Sequence, residues 1–426
     1  MNFFEKIYQK ILSPYHYFWA LFSALVFGFP SKKIKVIGIT GTKGKSTVVE
    51  FTEKIFEEAG YKVASFSSIK IKIGKKEKKN LFKMTMPGRW YIQKFLKDAI
   101  KSKCDYAILE VTSEGILQHR QKFINFEVAV FTNLSKEHIE RHGSFENYRA
   151  SKGKLFKENS NIHILNLDDK NVDYFLKFQA KKKIGFTLKE NYKQKENIKI
   201  IQGRTLKEKD EKFEFQVNDT IFKLNLVGDF NVYNALASIC IGLSQNIPLE
   251  TSKKAIEKVK KVEGRMEIVI EKPFEVIVDY AHTPDSLEAV YKNLIQKKEE
   301  KENSRLICVL GAAGGGRDKW KRPKMGEIAG NYCDKIILTD EDPYDENPKE
   351  ILNDIFSGIK KEQRKRVKKI LNRKKAIKKA LSLAKNNDIV IITGKGCEPW
   401  MCVKGGKKIP WDDRKIVKEI LKNKIN

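Results

Sequence analysis

The segment Gly38-Ile39-Thr40-Gly41-Thr42-Lys43-Gly44-Lys45-Ser46 constrains the fold more than any other stretch of this chain. It follows Lys35–Ile39, an apolar run that reads as a strand. It precedes Val48, Phe51, Ile55 and Ala59, which fall on one helical face, with Gly60 where a C-cap belongs. A strand that turns through glycines into a helix N-terminus points several backbone N–H groups at one spot, and such a spot suits phosphate. The strict spacing G-x4-G-K-[ST] fails because Ile39 occupies the place of its first glycine. Lys45 and Ser46 keep their places, so Lys45 is expected at the β- and γ-phosphates and Ser46 at Mg²⁺. Gly41, Thr42, Lys43, Gly44 and Thr47 complete the expected nucleotide cradle.

Beyond the loop, short apolar strands alternate with amphipathic helices, which predicts α/β domains with mainly parallel sheets. Strands are expected at Tyr106–Val111, Val128–Thr132 and Ile162–Asn166, each ending near polar residues. Glu110 stands at the end of the first of these, where a carboxylate can hold the magnesium of a nucleotide on the neighbouring loop. From Lys181 to Leu226 the sequence is lysine-rich and alternating, notably at Phe213–Val217 and Ile221–Leu226, as in a peripheral β region. A second α/β series begins after Val262-Glu263-Gly264-Arg265, with strands at Val276–Val278, Leu306–Leu310, Ile336–Leu338 and Ile389–Ile392. The expected layout is a short apolar segment over 1–33, a P-loop-type central ATPase domain over 34–263, and a Rossmann-like α/β domain over 264–426.

Composition supports ordinary cores: 41% of residues are hydrophobic and 32% charged, which argues against disorder and fibres. Lysine and arginine number 84 against 54 acidic residues, a net charge of +30 that favours anionic partners. Lys and Glu are intermixed throughout and no arginine–aromatic stripe appears, so no specific nucleic-acid partner is expected. The six cysteines form no C-x-x-C pair, which predicts reduced thiols and a cytoplasmic protein.

The one strongly apolar stretch, Tyr15–Phe29, lies between Pro14 and Pro30, with Lys6 and Lys10 before it and Lys32 and Lys33 after it. It is shorter than the about 20 residues a spanning helix needs. It also leads straight into a strand without a small-residue cleavage site, so export is not expected. Two readings stand: a helix packed on the body or a partner, or a peripheral contact at the inner face of the membrane.

From Thr40–Ser46 onward the sequence resembles the Mur ligases, in particular the MurE type, which adds the third residue of the peptidoglycan stem peptide. The matching segments run in order: GITGTKGKST at 38–47, TMPG at 85–88, AILEVTSEG at 107–115, TNLSKEHIERHG at 132–143, YRASKGKLF at 148–156, GDFNVYNALAS at 228–238, EGRME at 263–267, DYAHTPDSLE at 279–288, GRDKWKRPKMG at 316–326, TDEDPYDENP at 339–348 and GKGCE at 394–398. The resemblance implies ATP-dependent amide formation. An acceptor carboxylate takes the γ-phosphoryl group, and the amine of an amino acid then displaces phosphate from the acyl phosphate.

It also implies roles for individual residues. Lys45, Glu110, His138 and Lys152 would be catalytic, with Ser46 and Glu110 on one Mg²⁺ and His138 on a second. Lys152 matches the lysine that the family modifies with CO₂ to a metal-ligating carbamate. Asn231 and Asn234 would face adenine, while Arg265, Asp279 and His282 would close the C-terminal domain over ATP. Thr85, Pro87, Gly88, Arg89, Thr112, Ser113 and Arg120 would line the acceptor. Arg317, Asp318, Arg322, Asp340, Asp342 and Glu398 would surround the incoming amino acid. The enzyme is expected to be a monomer.

Three departures matter. Tyr344 stands where diaminopimelate-selecting members carry arginine, and Asp342 replaces asparagine, which favours a side chain ending in an ammonium, such as lysine or ornithine. Cys397 replaces the usual histidine of GKGHE and is expected to pack rather than react. Only about 35 residues precede the phosphate loop, where a typical member carries a domain that binds the UDP-sugar, so that domain is expected to be missing. The acceptor is then UDP-MurNAc-dipeptide, a lipid-linked precursor, or a folate as in folylpolyglutamate synthase. A non-catalytic membrane-associated nucleotide-binding module is the alternative of another class; Lys45, Ser46, Glu110, His138 and Lys152 together argue against it.

Overall fold

A computed structural model describes residues 3–425 apart from 83, 160, 191, 194, 195, 210 and 211. The chain forms two compact units, Met1–Lys260 and Lys261–Asn426. Glu263, Gly264 and Arg265 thus lie inside the second unit.

The first unit is built on an 11-stranded sheet of β1 (Lys35–Thr40), β2 (Val63–Phe66), β3 (Lys70–Ile73), β4 (Lys76–Lys79), β5 (Tyr106–Glu110), β6 (Phe126–Phe131), β7 (Ile162–Asn166), β8 (Lys182–Thr187), β9 (Lys199–Lys209), β10 (Lys212–Val217) and β11 (Thr220–Leu224). Their order is β11-β10-β9-β8-β7-β6-β1-β5-β2-β3-β4. The pairs from β2 through β9 across the middle are parallel, and the two edges are antiparallel meanders. The central strands are almost wholly buried, as strands covered by helices on both faces must be. In β10 the alternation places Phe213, Phe215 and Val217 inside.

Four helices position the site: α1 (Phe3–Val26), α2 (Lys45–Glu58), α3 (Arg89–Lys101) and the short α4 (Ser113–Leu117). Pro14 is accommodated within α1. The helix Phe230–Ser244 packs along α2. β3 carries two buried lysines, Lys70 and Lys72, whose ammonium groups lie 3.1 and 2.7 Å from the buried Glu53 of α2. Hydropathy alone does not mark this strand, because its inward side chains are charged and offset one acid on the covering helix.

The second unit holds a six-stranded sheet of β12 (Glu267–Ile270), β13 (Glu275–Val278), β14 (Leu306–Leu310), β15 (Lys335–Leu338), β16 (Val367–Lys369) and β17 (Ile389–Ile392), ordered β12-β13-β17-β14-β15-β16. Only the β12–β13 pair is antiparallel. A ribbon of β18 (Trp400–Val403) and β19 (Lys407–Pro410) stands apart from it. All six cysteines are free.

Candidate active site

β1 lies between β5 and β6 and runs parallel to both, so the carboxyl ends of all three open at one edge of the sheet. Ligands of open parallel sheets settle at such an edge. The loop that leaves β1 enters α2 through Gly44, whose φ of 81° is left-handed. A Cβ there would come 2.1 Å from the Asn234 Oδ1, so the site requires glycine for its backbone and for space. A Cβ at Gly41 would meet the Thr132 hydroxyl at 2.0 Å. The loop is pinned from β6: the Thr42 N–H donates to the Asn133 carbonyl at 2.9 Å and the Lys43 N–H to the Asn133 side chain at 2.8 Å.

Lys45 Nζ donates to the Thr42 carbonyl at 2.9 Å and lies 3.8 Å from Glu110. The Ser46 hydroxyl donates to Glu110 Oε2 at 2.9 Å, and both residues are buried. Glu110 also accepts from the Ser68 N–H at 2.9 Å and from the Ser68 hydroxyl at 3.1 Å. Hydroxyl and carboxylate oxygens at a helix N-terminus beside a lysine form a donor set that fits a nucleotide phosphate carrying a hard divalent cation.

Lys152 lies in the helix Phe145–Lys157 and is buried beneath the loop, where its Nζ donates to the Gly41 carbonyl at 2.7 Å. Burial, reinforced by Lys45, holds its pKa well below that of an ordinary lysine. His138 sits with left-handed backbone, φ 57°, its Nδ1 3.6 Å from the Glu114 carboxylate and its Nε2 4.0 Å from Glu137. His142, one helical turn on, is buried with Nε2 3.2 Å from the Ser113 hydroxyl. Burial first, then His138 and Lys152, bring its pKa down to about 4.

On the acceptor side, Thr85 reaches the Ser68 hydroxyl at 2.7 Å, and Thr85, Met86, Pro87 and Glu110 line one small cavity. Thr112 caps α4 by accepting from the Gly115 N–H at 3.1 Å. Arg89 and Arg120 both anchor on Gln118, Arg89 through its carbonyl at 2.9 Å and Arg120 through its side chain at 2.6 Å. Each keeps one buried nitrogen without a hydrogen-bond partner, Arg89 Nη2 and Arg120 Nε. With His16 and His119 nearby, the cluster is electropositive: burial followed by Arg89 drives His16 down to about 4. Thr47 is buried in the first turn of α2.

Asn231 lies inside the helix Phe230–Ser244, and Asp229 is its N-cap. Asn231 donates to the Val227 carbonyl at 2.7 Å and accepts from Asn234 at 3.0 Å, and this chain holds the Asn234 oxygen against Gly44.

The second unit gathers its own group. The Arg265 guanidinium stacks 4.4 Å above the Tyr280 ring. Asp279 is buried and accepts from the Met266 and Ala281 N–H groups at 2.8 and 2.6 Å. His282 pairs through Nδ1 with the Tyr280 carbonyl at 2.7 Å, and the Tyr280 hydroxyl donates to Glu398 at 3.0 Å. Burial pushes the Cys397 thiol up, so it stays protonated and packs, as its sequence context predicts.

Two residues expected on the amino-acid side have partners within the fold. Asp342 is buried and accepts from Lys395 Nζ at 2.9 Å and from the Cys402 N–H at 2.6 Å. Its charge thus has a partner within the fold, which weakens the argument it gives for lysine or ornithine. Arg322 is likewise enclosed, held by Glu346 at 2.9 Å and Asp354 at 3.0 Å. Arg317 remains half-buried, and Asp318 is buried. Burial raises Asp340 to about 6, and Glu398 is also bound by Lys395 at 2.5 Å.

Sequence reasoning missed Ser68, His142, Glu137 and Tyr148. Ser68 follows β2, the parallel neighbour of β5, so strand order brings it to Glu110 across 42 residues of chain. Tyr148 shares a 3.0 Å hydrogen bond with Thr42 and lies under the Lys152 ammonium at 4.8 Å. Only His142 carries a sequence signal, four residues beyond His138.

Residues 39–242 match the Mur ligase middle domain, and residues 264–396 match the Mur ligase glutamate ligase domain. A relative from Clostridium botulinum named UDP-N-acetylmuramoyl-L-alanyl-D-glutamate–2,6-diaminopimelate ligase is 39% identical over 413 residues, covering 95% of this chain and 81% of its own. A solved structure of an enzyme of that name is 28% identical, with TM-score 0.60 over 92% of this chain and 79% of its own. Folylpolyglutamate synthase from Mycobacterium tuberculosis, at 15% identity and TM-score 0.66 over 87% of this chain and 91% of its own, shares the fold alone. Two domain matches in chain order, on the same residues that cradle Gly44 and join Ser46 to Glu110, make the assignment: the chain belongs to the Mur ligase family, ATP-dependent enzymes that form amide bonds.

Proposed function

We propose that this chain adds a diamino acid to the stem peptide of a UDP-MurNAc-dipeptide acceptor. Bound ATP and Mg²⁺ would supply the phosphoryl group that activates the acceptor carboxylate, and the incoming amine would then displace phosphate to leave the amide. The observation that carries the reading is the convergence of Lys45, Ser46 and Glu110 at the mouth of the loop.

The chain's own residues divide the work. Loop N–H groups and the Lys45 ammonium offset phosphate charge, and fixed donors of this kind need no reorganisation during reaction. Ser46 and Glu110 offer oxygen ligands to one cation, and His138 to a second. Lys152, buried and biased toward the neutral amine, is in the form that takes up CO₂: an N–C bond forms, a proton leaves, and the resulting carbamate presents anionic oxygens. Asn231 and Asn234 border the loop on the side proposed for adenine. Arg265, Asp279 and His282 are proposed for ATP within the second unit.

Arg89 and Arg120 are proposed to grip an acceptor anion with their unpartnered nitrogens, beside Thr85, Pro87, Thr112 and Ser113. On the amino-acid side, Arg317, Asp340 and Glu398 are proposed contacts. The relatives are named for diaminopimelate, and Tyr344 occupies the place of the carboxylate-gripping arginine, so the distal carboxylate is held less firmly here.

Trapping tests the chemistry before the amino acid is known. With ATP, Mg²⁺, bicarbonate and UDP-MurNAc-L-Ala-D-Glu but no amino acid, hydroxylamine should yield the acceptor hydroxamate. ATP turnover without hydroxamate would contradict acyl activation of this acceptor.

A further inference from the structure

From Tyr15 to Val26, most of the large apolar side chains of α1 point away from the body of the first unit. Ala20, Ser23 and Ala24 are buried, on a helix that packs against α3. The Ser13 hydroxyl meets His119 at 2.9 Å, and Tyr17 lies against the rings of His119 and Phe123. The opposite stripe, spaced three and four residues apart, is Tyr15, Phe18, Trp19, Phe22, Leu25 and Val26, all exposed, with Phe18 at 61% and Leu25 at 56%. This is the reverse of a helix that covers a core.

The patch does not end with α1. Phe22 stacks on Trp90 with centroids 6.4 Å apart, Phe27 meets the same ring at 4.7 Å, and Tyr91 is exposed beside it. Phe82 meets the Tyr91 ring at 4.9 Å, and Leu81 and Met84, on the same loop to Thr85, are exposed. Contiguous apolar surface of this kind marks an interaction site. Its borders are basic: no Asp, Glu, Lys or Arg falls between Tyr15 and Phe29, the exposed Lys32 and Lys33 follow, and exposed Lys75, Lys76 and Lys78, with Glu77 the one acid among them, lie on and before β4, which leads into Leu81.

We propose that this face docks on the surface of an anionic lipid bilayer, with the rings at the boundary of headgroups and acyl chains and the lysines at the phosphates. Tryptophan, tyrosine and phenylalanine beside lysine is the composition that boundary selects. Among the described residues no helix is long and apolar enough to cross a membrane, so the contact is peripheral. A second copy is the poorer occupant, because apposed faces would bring two positively charged borders together. The proposal stands independently of the ligase reading.

The test is co-sedimentation of the full chain with vesicles of phosphatidylcholine alone and of a phosphatidylglycerol-rich mixture, with brominated acyl chains to quench tryptophan. The chain should pellet with the anionic vesicles, lose tryptophan fluorescence to the brominated lipid, and release as salt rises. Phe18→Ser/Phe22→Ser/Leu25→Ser should lower partitioning at least about tenfold, since each large side chain buried in the interface is worth a similar factor. Should that variant lose its fold, Lys32→Glu/Lys33→Glu gives the second reading: it should weaken binding to anionic vesicles only. Failure to pellet, an unquenched signal, or unchanged partitioning of both variants would overturn the proposal. So would a dimer in solution that the triple variant dissociates, since that assigns the face to a second copy.

Discussion

The Ser46 hydroxyl donates to Glu110 at 2.9 Å, joining the first turn of α2 to the end of β5. The loop proposed to bind phosphate and a strand that ends in a carboxylate thereby meet at one point. Ser46→Ala and Glu110→Gln should each lower ATP turnover about a hundredfold or more while circular dichroism stays unchanged, because each removes a proposed cation ligand and no core packing. Turnover within a few-fold of the parent in either variant would place the cation elsewhere.

Gly44 and Asn234 form a second telling pair. Gly44→Ala puts a methyl group 2.1 Å from the Asn234 oxygen and a side chain on a backbone with φ 81°. Nucleotide affinity should fall by about tenfold or more, given strain of about 1–3 kcal/mol at such positions. Adding Asn234→Ala relieves the contact but not the backbone, so the double variant should recover part of the loss. A double-mutant cycle by calorimetry reads the coupling.

The fold was legible where apolar runs are covered on both sides. Ile162–Asn166, Leu306–Leu310 and Ile389–Ile392 are strands at the expected residues, and Gly60 follows the end of α2 with φ 87°. It was not legible at β3, because Lys70 and Lys72 are buried as partners of Glu53. The loop and Glu110 could be named because their chemistry lies within a few residues of a strand end. Ser68 and Tyr148 could not, since only the order of parallel strands and the packing of a distant helix bring them to Glu110 and Thr42. The ion pair of Asp342 was not legible for the same reason: its partner Lys395 is 53 residues away.

Tyr344 is proposed to set how the distal end of the amino acid is held. Tyr344→Arg should raise kcat/KM for diaminopimelate relative to lysine by about tenfold, the worth of one charge-assisted contact to a carboxylate. Competition of the two amino acids in one reaction, read by product mass, measures the ratio directly. No change would place the carboxylate away from residue 344.

Glu341 predicts a pH dependence of stability. It is buried, with Oε2 lacking a partner, and burial followed by Asp342 raises its pKa from 4.5 to about 7. Between these values the folded state holds more protons than the unfolded state, so this residue's contribution falls as pH rises through the window and levels off above it. Glu341→Gln should remove that decline, stabilising the protein at pH 8 by on the order of 2 kcal/mol relative to its effect at pH 4.5. Thermal melts of parent and variant from pH 4.5 to 8 check the sign; parallel curves would contradict it.

The most direct measurement is product mass from ATP, Mg²⁺, bicarbonate and UDP-MurNAc-L-Ala-D-Glu with diaminopimelate, lysine, ornithine or no amino acid. The account predicts one new amide on the acceptor, formed with a diamino acid, together with stoichiometric phosphate. Phosphate release with no adduct from any of them would contradict it.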